Sequence, residues 1–454
     1  MAAFSLRPAL AAGLSFLSLA AALADPKVSF RPDRADGIYA PGETVTWTVD
    51  VVGERSGDLS ALTALPYVVK ENGQVEMSRG TLDLSAGPAI LTATCGEPAT
   101  VLAEIRLDPK NPLPLGAGGA VFAPEKIGPS RPAPDDFDDF WKAKLAELDQ
   151  VPLHPVLERV EGLPNSDNLE YDKVTLDNIR GTHVRGQLAR PAREGRFPAM
   201  VMFQSAGVGP LDPQQVLAQA RPGWLALNIS AHDLPIDGSP EFYKDQSDHA
   251  LNKYIYLGSE DRETCYFLRM FLGCVRAAEY LASRDDWDGR TLVVTGTSQG
   301  GLQSFAAAAL YPKVSGLMVL VPAGCDSYAP LATPPRAFGW PYWISNWGGA
   351  RDMKKVEQTA GYFDAINFAQ RLRCPALIAV GLLDPAARPT GVIAAANAVR
   401  QPKELVILPL SDHYGTGGAQ APYFARFNAW KTAFQKGLPP PVPASAPVTA
   451  AATP

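Results

Sequence analysis

The chain has 454 residues and a formal net charge of −6, and 46% of its residues are hydrophobic. This length is too great for one ordinary domain and is sufficient for two hydrophobic cores. The negative charge, with lysines and arginines scattered along the chain, argues against nucleic acid or an anionic membrane surface as a partner.

The first 24 residues predict a signal peptide. Arg7 supplies a positive charge, residues 8–21 form an apolar segment rich in leucine and small residues, and Ala22-Leu23-Ala24 is an A-x-A cleavage site. The apolar run is too short for a membrane span, and no later stretch is long enough either. We therefore expect an exported protein, periplasmic or secreted, that starts at Asp25 and does not insert into a membrane.

Residues 25–110 predict a small immunoglobulin-like β-sandwich. Apolar and polar residues alternate over residues 45–51, which is the period of a half-buried strand. Asn72-Gly73 stands between two further β-type segments and is a strong signal for a two-residue hairpin turn. Several short strands at even spacing are typical of this kind of sandwich.

The rest of the chain predicts one α/β domain between two irregular segments. Residues 111–134 are rich in proline and glycine and are predicted to be a linker, and the tail 438–454 is predicted to be disordered. Between them, over residues 135–437, strands and helices alternate, and the strands from residue 199 onward are apolar throughout, as in a mostly parallel, doubly wound sheet. The predicted strands are 173–176, 183–189, 199–203, 224–229, 291–295, 316–321, 376–380 and 404–408, and the predicted helices include 262–284, 299–310, 392–399 and 422–436.

A Gly-x-Ser-x-Gly motif spans residues 296–300, directly after the strand 291–295 and before the helix-like stretch 302–310. At a turn from strand to helix this motif is the nucleophile elbow of an α/β-hydrolase. Its glycines leave room where side chains would collide with the neighbouring strand and helix. The motif predicts Ser298 as a nucleophile, with the next helix N-terminus directed at developing negative charge.

A serine hydroxyl is a poor nucleophile unless a base accepts its proton. On this fold an acid and then a histidine follow the serine, each on a loop after a strand. Asp384 and His413 follow the last two predicted strands, so we predict the catalytic triad Ser298, Asp384 and His413. Asp412 is the competing acid, but as the direct neighbour of His413 it cannot easily reach the ring nitrogen.

Two backbone N–H groups are predicted to stabilise the tetrahedral oxyanion. One belongs to Gln299, directly after the nucleophile. The other belongs to the loop after the strand 199–203, where position favours Ala206, with Ser205 as the alternative. No side chain is required for this role.

Three aromatic side chains are candidates for substrate binding. His232 follows a strand at the carboxyl edge of the predicted sheet, where ligands bind in α/β folds. Trp340 and Trp343 belong to a cluster with Trp347, and aromatic faces suit sugar rings. Packing in the core or in a lid is an alternative interpretation of this cluster.

The cysteines do not predict a metal site. The five cysteines show no C-x-x-C spacing. Cys265 and Cys274 stand nine residues apart in a helix-like stretch, about 13 Å along the helical rise, which is too far for a disulfide. We expect buried free thiols.

These motifs together resemble the acetyl xylan esterase/cephalosporin C deacetylase family of α/β-hydrolases. The resemblance covers about residues 134–436 and implies a triad of Ser298, Asp384 and His413, removal of acetyl groups from sugars, and no metal or organic cofactor. The motifs that carry it are Gly-x-Ser-Gln-Gly-Gly at 296–301, Gly-Leu-x-Asp-x-x-x-x-Pro at 381–389, Tyr-Phe-Asp-Ala-Ile-Asn at 362–367, Asp-Phe-Asp-Asp-Phe-Trp at 136–141, and a final strand leading to His413.

The sequence departs from the family pattern at three points. The usual His-Gly-Tyr oxyanion loop is Gln-Ser-Ala at 204–206, residues 387–388 are Ala-Arg where Cys-Pro is typical, and Tyr414 replaces a glutamate after the histidine. Ala206 still offers a backbone N–H, so catalysis is expected to persist. Loss of the tyrosine side chain leaves the acyl pocket and the substrate preference open, and the β domain is an addition to the single-domain forms.

The sequence therefore predicts an exported serine carbohydrate esterase that cleaves acetyl esters of xylan-derived or other sugars through an acyl-enzyme intermediate. Its expected partner is an acetylated oligo- or polysaccharide, and the sequence is compatible with an oligomer. One alternative is a broad short-chain acyl esterase or a serine peptidase, since the fold does not fix the substrate. Another is a polysaccharide-binding protein with a vestigial hydrolase, against which the complete triad argues.

Overall fold

A computed structural model of the chain describes residues 27–52, 64–107 and 114–443. The predicted signal peptide and residues 444–454 of the predicted tail lie outside the described residues, whereas residues 438–443 form neither helix nor strand. Within the described ranges, no helix has the length and apolar character needed to cross a membrane.

The N-terminal part of the structure is a sandwich of two β-sheets. One sheet has the strand order β1-β3-β6 and the other has the order β2-β8-β7-β4-β5. Neighbouring strands are antiparallel except for β2 and β8, which are parallel. This division of the strands between two sheets is that of an immunoglobulin-type sandwich, as predicted. The strands are β1 (Lys27–Pro32), β2 (Ile38–Tyr39), β3 (Thr44–Val52), β4 (Ala64–Glu71), β5 (Val75–Asp83), β6 (Ala89–Thr94), β7 (Ala99–Ile105) and β8 (Gly116–Phe122).

Alternating apolar residues of β3 form one wall of the sandwich interior. Val45, Trp47 and Val49 are fully buried, while the residues between them are partly exposed. They belong to one apolar cluster with Val101 and Ala103 of β7 in the opposite sheet. The period of two in the sequence therefore directs one face of β3 into the core.

The predicted hairpin at Asn72-Gly73 is confirmed between β4 and β5. Both residues adopt left-handed backbone conformations, with φ angles of 51° and 66°. Positive φ at both central positions is what a tight type I′ turn requires. The N–H of Gln74 donates to the carbonyl of Glu71 at 3.0 Å and closes the turn.

The predicted boundary of the sandwich is wrong. Residues 116–122 of the segment 111–134, predicted to be a linker, form β8 in the five-strand order given above. The glycine-rich sequence suggested a linker, but here the glycines allow close packing. A Cβ atom on Gly116 would lie only 2.2 Å from the carbonyl oxygen of Val28 in β1. The sandwich therefore extends to Phe122.

The remaining elements form the predicted α/β domain. Each predicted strand and helix overlaps an observed one, although α4 begins at Tyr266 rather than at residue 262. The elements are α1 (Phe137–Asp149), β9 (Val156–Arg159), β10 (Leu169–Asp177), β11 (His183–Pro191), β12 (Phe197–Phe203), α2 (Pro213–Ala220), β13 (Leu225–Ile229), α3 (Pro240–Asp248), α4 (Tyr266–Ser283), β14 (Trp287–Thr297), α5 (Gln299–Leu310), β15 (Gly316–Leu320), α6 (Met353–Ala360), α7 (Ala365–Ala369), β16 (Ala376–Gly381), α8 (Pro389–Ala398), β17 (Lys403–Leu408) and α9 (Ala421–Gln435).

The strands of this domain form one sheet in the order β17-β16-β15-β14-β12-β13-β11-β10-β9. Neighbours from β17 to β13 are parallel, and β11, β10 and β9 add antiparallel pairs at one edge. β13, β15 and β16 are buried at every position, as expected for parallel strands covered on both faces. This mostly parallel sheet confirms the predicted α/β-hydrolase class.

The sandwich packs against two loops that leave the carboxyl edge of this sheet. A Cβ atom on Gly119 of β8 would lie 2.5 Å from Cβ of Leu382, directly after β16. A Cβ atom on Gly37 would lie 3.0 Å from Cγ of Pro409, directly after β17. The two domains therefore meet at the beginnings of the β16 and β17 loops.

The five cysteines are buried and free, as predicted. Burial raises the pKa of the Cys265, Cys274 and Cys374 thiols to about 12. Burial also raises the pKa of Cys95 and Cys325. The thiols therefore remain protonated at neutral pH.

Replacement Gly119→Ala should destabilise the chain, because the new methyl group would collide with Leu382. Overpacking of this kind costs about 1–3 kcal/mol of the free energy of unfolding. Denaturant unfolding of the purified variant measures the change. The control is Gly96→Ala in the same sandwich, where a Cβ atom meets no heavy atom within 4 Å. Equal unfolding midpoints for the two variants would contradict a tight domain interface.

Candidate active site

Ser298 stands at the turn between β14 and α5. Its backbone has a φ of 58° and a ψ of −122°, a region that residues with side chains rarely adopt. The Ser298 N–H donates to the carbonyl of Leu320 at 3.1 Å, and the Ser298 carbonyl accepts from the N–H of Ala323 at 2.9 Å. These bonds tie the strained residue to the end of β15 and keep it at the carboxyl edge of the sheet.

The glycines on either side of Ser298 are required by space. A Cβ atom on Gly296 would lie 2.3 Å from the carbonyl carbon of Gly300. A Cβ atom on Gly300 would lie 2.3 Å from the carbonyl oxygen of Phe203, at the end of β12. The strand, turn and helix therefore cross too closely for side chains, as the motif predicts.

Ser298, His413 and Asp384 form a hydrogen-bonded series. Oγ of Ser298 lies 2.9 Å from Nε2 of His413. Nδ1 of His413 lies 2.7 Å from Oδ2 of Asp384. The three residues follow β14, β17 and β16, whose carboxyl ends meet at one edge of the sheet. The parallel sheet thus assembles three side chains that are far apart in sequence.

The Asp384 carboxylate is buried and oriented by its own loop. The residue is 1% exposed. Its Oδ1 atom accepts hydrogen bonds from the N–H groups of Ala386 and Ala387, both at 2.8 Å. These bonds leave Oδ2 directed at the imidazole of His413.

The competing acid Asp412 has other partners. Its Oδ1 accepts from the N–H groups of Tyr414 and Thr416 at 3.0 Å, and its Oδ2 accepts from the Thr416 hydroxyl at 2.6 Å. Burial raises the pKa of the Asp412 carboxyl, but the hydrogen bonds from Thr416 outweigh burial and hold that pKa below its usual value. Asp412 therefore braces the loop beyond His413, and its carboxylate points away from the imidazole.

The two amides predicted for the oxyanion stand on different elements. Gln299 is the first residue of α5. The N–H groups in the first turn of a helix have no hydrogen-bond acceptor within the helix, so they are free to bind a ligand. The buried side chain of Gln299 accepts a hydrogen bond from the Tyr254 hydroxyl at 2.5 Å. Ala206 lies exposed on the loop after β12. The Ser205 hydroxyl donates to the carbonyl of Thr297 at 3.1 Å and ties this loop to the residue before Ser298.

His232 lies behind that loop and is only 3% exposed. Its Nε2 lies 3.1 Å from the carbonyl oxygen of Gly207, and its Nδ1 lies 2.7 Å from the Tyr266 hydroxyl, which is itself bonded to Arg269. Burial lowers the pKa of His232 to about 4. A neutral imidazole therefore donates to Gly207 and supports the loop that carries Ala206.

Trp340 and Trp343 pack inward, mainly against Phe267. Trp343 is 3% exposed, its ring centroid lies 5.2 Å from that of Phe267, and its Nε1–H donates to the carbonyl of Ile255 at 2.5 Å. The Trp340 ring lies 5.7 Å from the same phenylalanine. Trp340 and Trp343 therefore fit the alternative interpretation, in which the tryptophan cluster packs in the core. Trp347, the third tryptophan of the cluster, is 60% exposed.

Several supporting residues were not found from the sequence. Gln204 holds the loop after β12 from within, because its Nε2–H donates to the carbonyl of Gly209 and its Oε1 accepts from the N–H of Ala231. Tyr254 and Tyr266 surround His232. Gln204 and Tyr254 lie in short segments with no periodic pattern, and Tyr266 is the first residue of α4, so no motif marked these roles.

Within residues 27–52, 64–107 and 114–443, no group of three or more His, Cys, Asp or Glu side chains is arranged to hold a metal ion.

The sequence model of the acetyl xylan esterase family (AXE1) matches residues 125–431. The chain belongs to this family. The match confirms the predicted resemblance and the class of carboxylic ester hydrolase, and the matched range contains all three members of the hydrogen-bonded series.

Known acetyl xylan esterases and a related acetyl esterase resemble the chain in sequence and fold. Acetyl esterase Axe7A of Xylanibacter ruminicola is 28% identical over 402 residues, which cover 85% of this chain and 86% of that protein. The acetyl xylan esterase from Paenibacillus sp. R4 is 26% identical with a TM-score of 0.57, covering 67% of this chain and 98% of that one. Acetyl Xylan Esterase 1 from Thermoanaerobacterium sp. JW/SL YS485 is 23% identical with a TM-score of 0.56. The match covers 66% of this chain and 96% of that protein, and it supports the fold.

His232→Ala should lower kcat for p-nitrophenyl acetate by about tenfold to a hundredfold, because the carbonyl of Gly207 loses its donor and the loop after β12 shifts. KM should change less, and His232→Gln, which keeps an N–H donor, should recover part of the loss. The matched control is His249→Ala, since the His249 side chain, directly after α3, is 73% exposed. Equal kcat values for the His232→Ala and His249→Ala variants would contradict a supporting role for His232.

Proposed function

We propose that this chain is an exported serine esterase that hydrolyses acetyl esters of xylan-derived or other sugars. The observation that carries the proposal is the series of 2.9 Å and 2.7 Å contacts from Ser298 through His413 to Asp384 in a chain of the acetyl xylan esterase family. The names of the relatives, an acetyl esterase and acetyl xylan esterases, support an acetyl group as the acyl part of the substrate.

The acylation step follows from these contacts. Nε2 of His413 accepts the proton of the Ser298 hydroxyl while Oγ attacks the acetyl carbonyl carbon. Asp384 holds the Nδ1–H of the imidazole and stabilises the imidazolium. The N–H groups of Gln299 and Ala206 donate to the developing oxyanion. Nε2–H then protonates the sugar oxygen, the C–O bond breaks, and the deacetylated sugar leaves.

Deacylation repeats the same steps with water. His413 accepts a proton from a water molecule, whose oxygen attacks the acetyl carbonyl on Ser298. The second tetrahedral intermediate collapses, Oγ of Ser298 recovers its proton from the imidazolium, and acetate leaves.

Export belongs to the proposal. The support is the sequence of residues 1–24, which has a charged start, an apolar middle and an A-x-A end. An acetylated polysaccharide is found outside cells, so an exported enzyme would meet this substrate directly.

A broad short-chain esterase or a serine peptidase would use the same triad, so substrate choice must be measured. We expect the purified protein to release acetate from acetylated xylo-oligosaccharides and to prefer acetyl over butyryl and octanoyl p-nitrophenyl esters. Faster cleavage of octanoyl than of acetyl esters, or cleavage of peptides in place of sugar esters, would contradict the proposal.

Ser298→Ala should abolish this activity, because loss of the nucleophile in a Ser-His-Asp triad costs about a million-fold in kcat. The matched control is Ser304→Ala, a second buried serine of α5 whose hydroxyl donates to the carbonyl of Gly300 at 2.7 Å. Acetate release from both variants is measured beside circular dichroism to check the fold. If the Ser298→Ala enzyme kept more than about a thousandth of the wild-type activity, Ser298 would not be the nucleophile.

Asp384→Asn should lower kcat by about ten-thousandfold, because the imidazole loses the carboxylate that sets its tautomer. Asp412→Asn is the matched control, since the Asp412 carboxylate accepts hydrogen bonds from Tyr414 and Thr416 of its own loop. Steady-state kinetics with p-nitrophenyl acetate compares the two. If Asp412→Asn were the more damaging change, the acid would be assigned to the wrong residue.

A further inference from the structure

Three aromatic side chains form a cluster after β15, in which Phe338 and Tyr342 are half-buried and Trp347 is exposed, and we call these three residues the aromatic rim. The ring centroids of Phe338 and Trp347 lie 5.2 Å apart at 88°, and those of Tyr342 and Trp347 lie 4.8 Å apart at 53°. Trp347 is 60% exposed. Single exposed apolar residues are ordinary, but three touching rings with an open face require an explanation.

The aromatic rim lies beside the reacting groups. Burial raises the pKa of Tyr342 above its usual value, and Arg388, which lowers this pKa, donates its Nε–H to the carbonyl of Phe338 at 3.3 Å. Tyr414 is 81% exposed, and its ring lies 5.5 Å from the ring of His413 in an edge-on contact. Exposed aromatic side chains therefore stand on the loops after β15 and β17, which leave the same edge of the sheet.

The loop that carries the rim is bonded to the loop of the acid. The N–H of Trp340 donates to the carbonyl of Ala386 at 2.9 Å. The N–H of Ala386 in turn donates to Oδ1 of Asp384 at 2.8 Å. The position of the rim is thus fixed relative to the hydrogen-bonded series that ends at Ser298.

The sandwich holds the other side of this loop through its β4–β5 hairpin. The N–H of Ala337 donates to the carbonyl of Asn72 at 3.0 Å. Oδ1 of Asn72 accepts from the N–H of Thr100 at 3.1 Å and from the hydroxyl of Thr390 at 3.4 Å. Asn72 therefore joins the sandwich to α8 through its side chain and to the start of the rim loop through its backbone carbonyl.

Backbone strain also marks this loop. Tyr342 has a φ of 60°, which is costly for a residue with a large side chain. Its N–H donates to the carbonyl of Gly339 at 2.9 Å and maintains the turn. Strain of about 1–3 kcal/mol persists where the surroundings fix a conformation, and such positions cluster at ligand sites.

We propose that the aromatic rim is a binding subsite for the xylopyranose ring next to the acetylated sugar, positioned by the β4–β5 hairpin of the sandwich. A pyranose ring has an apolar face of C–H groups, which an aromatic ring removes from water, and a hydroxyl edge that stays solvated. The rim is already ordered, so little entropy is lost on binding. This proposal rests on the proposed function, and it assigns to Tyr342 and Trp347 the role that the sequence predicted for Trp340 and Trp343.

Isothermal titration calorimetry with unacetylated xylohexaose tests the subsite without any reaction. Ser298→Ala should bind this sugar, and Ser298→Ala/Trp347→Ala should bind it about tenfold more weakly. The matched control is Ser298→Ala/Leu157→Ala, because Leu157 is 45% exposed on β9 at the opposite edge of the sheet and should leave the Kd unchanged. Equal Kd values for the three proteins, or no binding to any of them, would overturn the subsite.

Kinetics tests the same subsite during turnover. In Trp347→Ala, the ratio of kcat/KM for acetylated xylo-oligosaccharides to kcat/KM for p-nitrophenyl acetate should fall about tenfold, mostly through KM. Asn72→Gly, which keeps the left-handed turn but loses the Oδ1 acceptor, should lower the ratio in the same direction. An unchanged ratio in Trp347→Ala overturns the subsite. If the wild-type enzyme cleaved p-nitrophenyl acetate but no sugar ester, the proposed function would be contradicted. The calorimetry would then still test the subsite by itself.

Discussion

The close crossing of β12, β14 and α5 around Ser298 is the constraint on which the other features depend. Gly296 and Gly300 have no space for a Cβ atom, and Ser298 must adopt a positive φ to turn the chain between them. Strain at one residue persists only if its surroundings fix it. Here they do, because β15 bonds to both sides of Ser298 and the first three turns of α5 are buried. The apolar core therefore holds Ser298 in its strained conformation at the carboxyl edge of the sheet.

Asp384 and His413 depend on a second support that lies outside the α/β domain. Asp384 and His413 stand on loops whose first residues, Leu382 and Pro409, contact glycines of the sandwich. Loops are normally the most mobile parts of a fold. By packing on these two loops where they leave the sheet, the sandwich restricts the motion of the residues that complete the hydrogen-bonded series. The sandwich is therefore part of the architecture of the site and not only a neighbour of it.

The sequence was informative where a local rule forces the structure. Apolar strands, the Asn72-Gly73 turn and the elbow at Ser298 each follow from backbone or packing requirements, and all three were predicted. β8 was missed because its glycines, which normally favour loops, serve close contact with β1 in a distant part of the chain. The brace from His232 to Gly207 was missed for a related reason, and the inward packing of Trp343 was one of two interpretations that the sequence left open. They depend on how irregular segments pack in three dimensions, and no residue spacing encodes that.

The state of the cysteines has a practical consequence. The five thiols are buried, unpaired and protonated at neutral pH, so the fold contains no covalent cross-link and offers no reactive thiolate. Stability must then come from packing and hydrogen bonds alone, and reducing agents should not affect it. A single cysteine introduced on the surface would be the one readily alkylated group of the folded chain. Fluorescent or spin labels could therefore be attached at one chosen point, without first removing the native cysteines, to follow movement between the sandwich and the loops at the edge of the sheet.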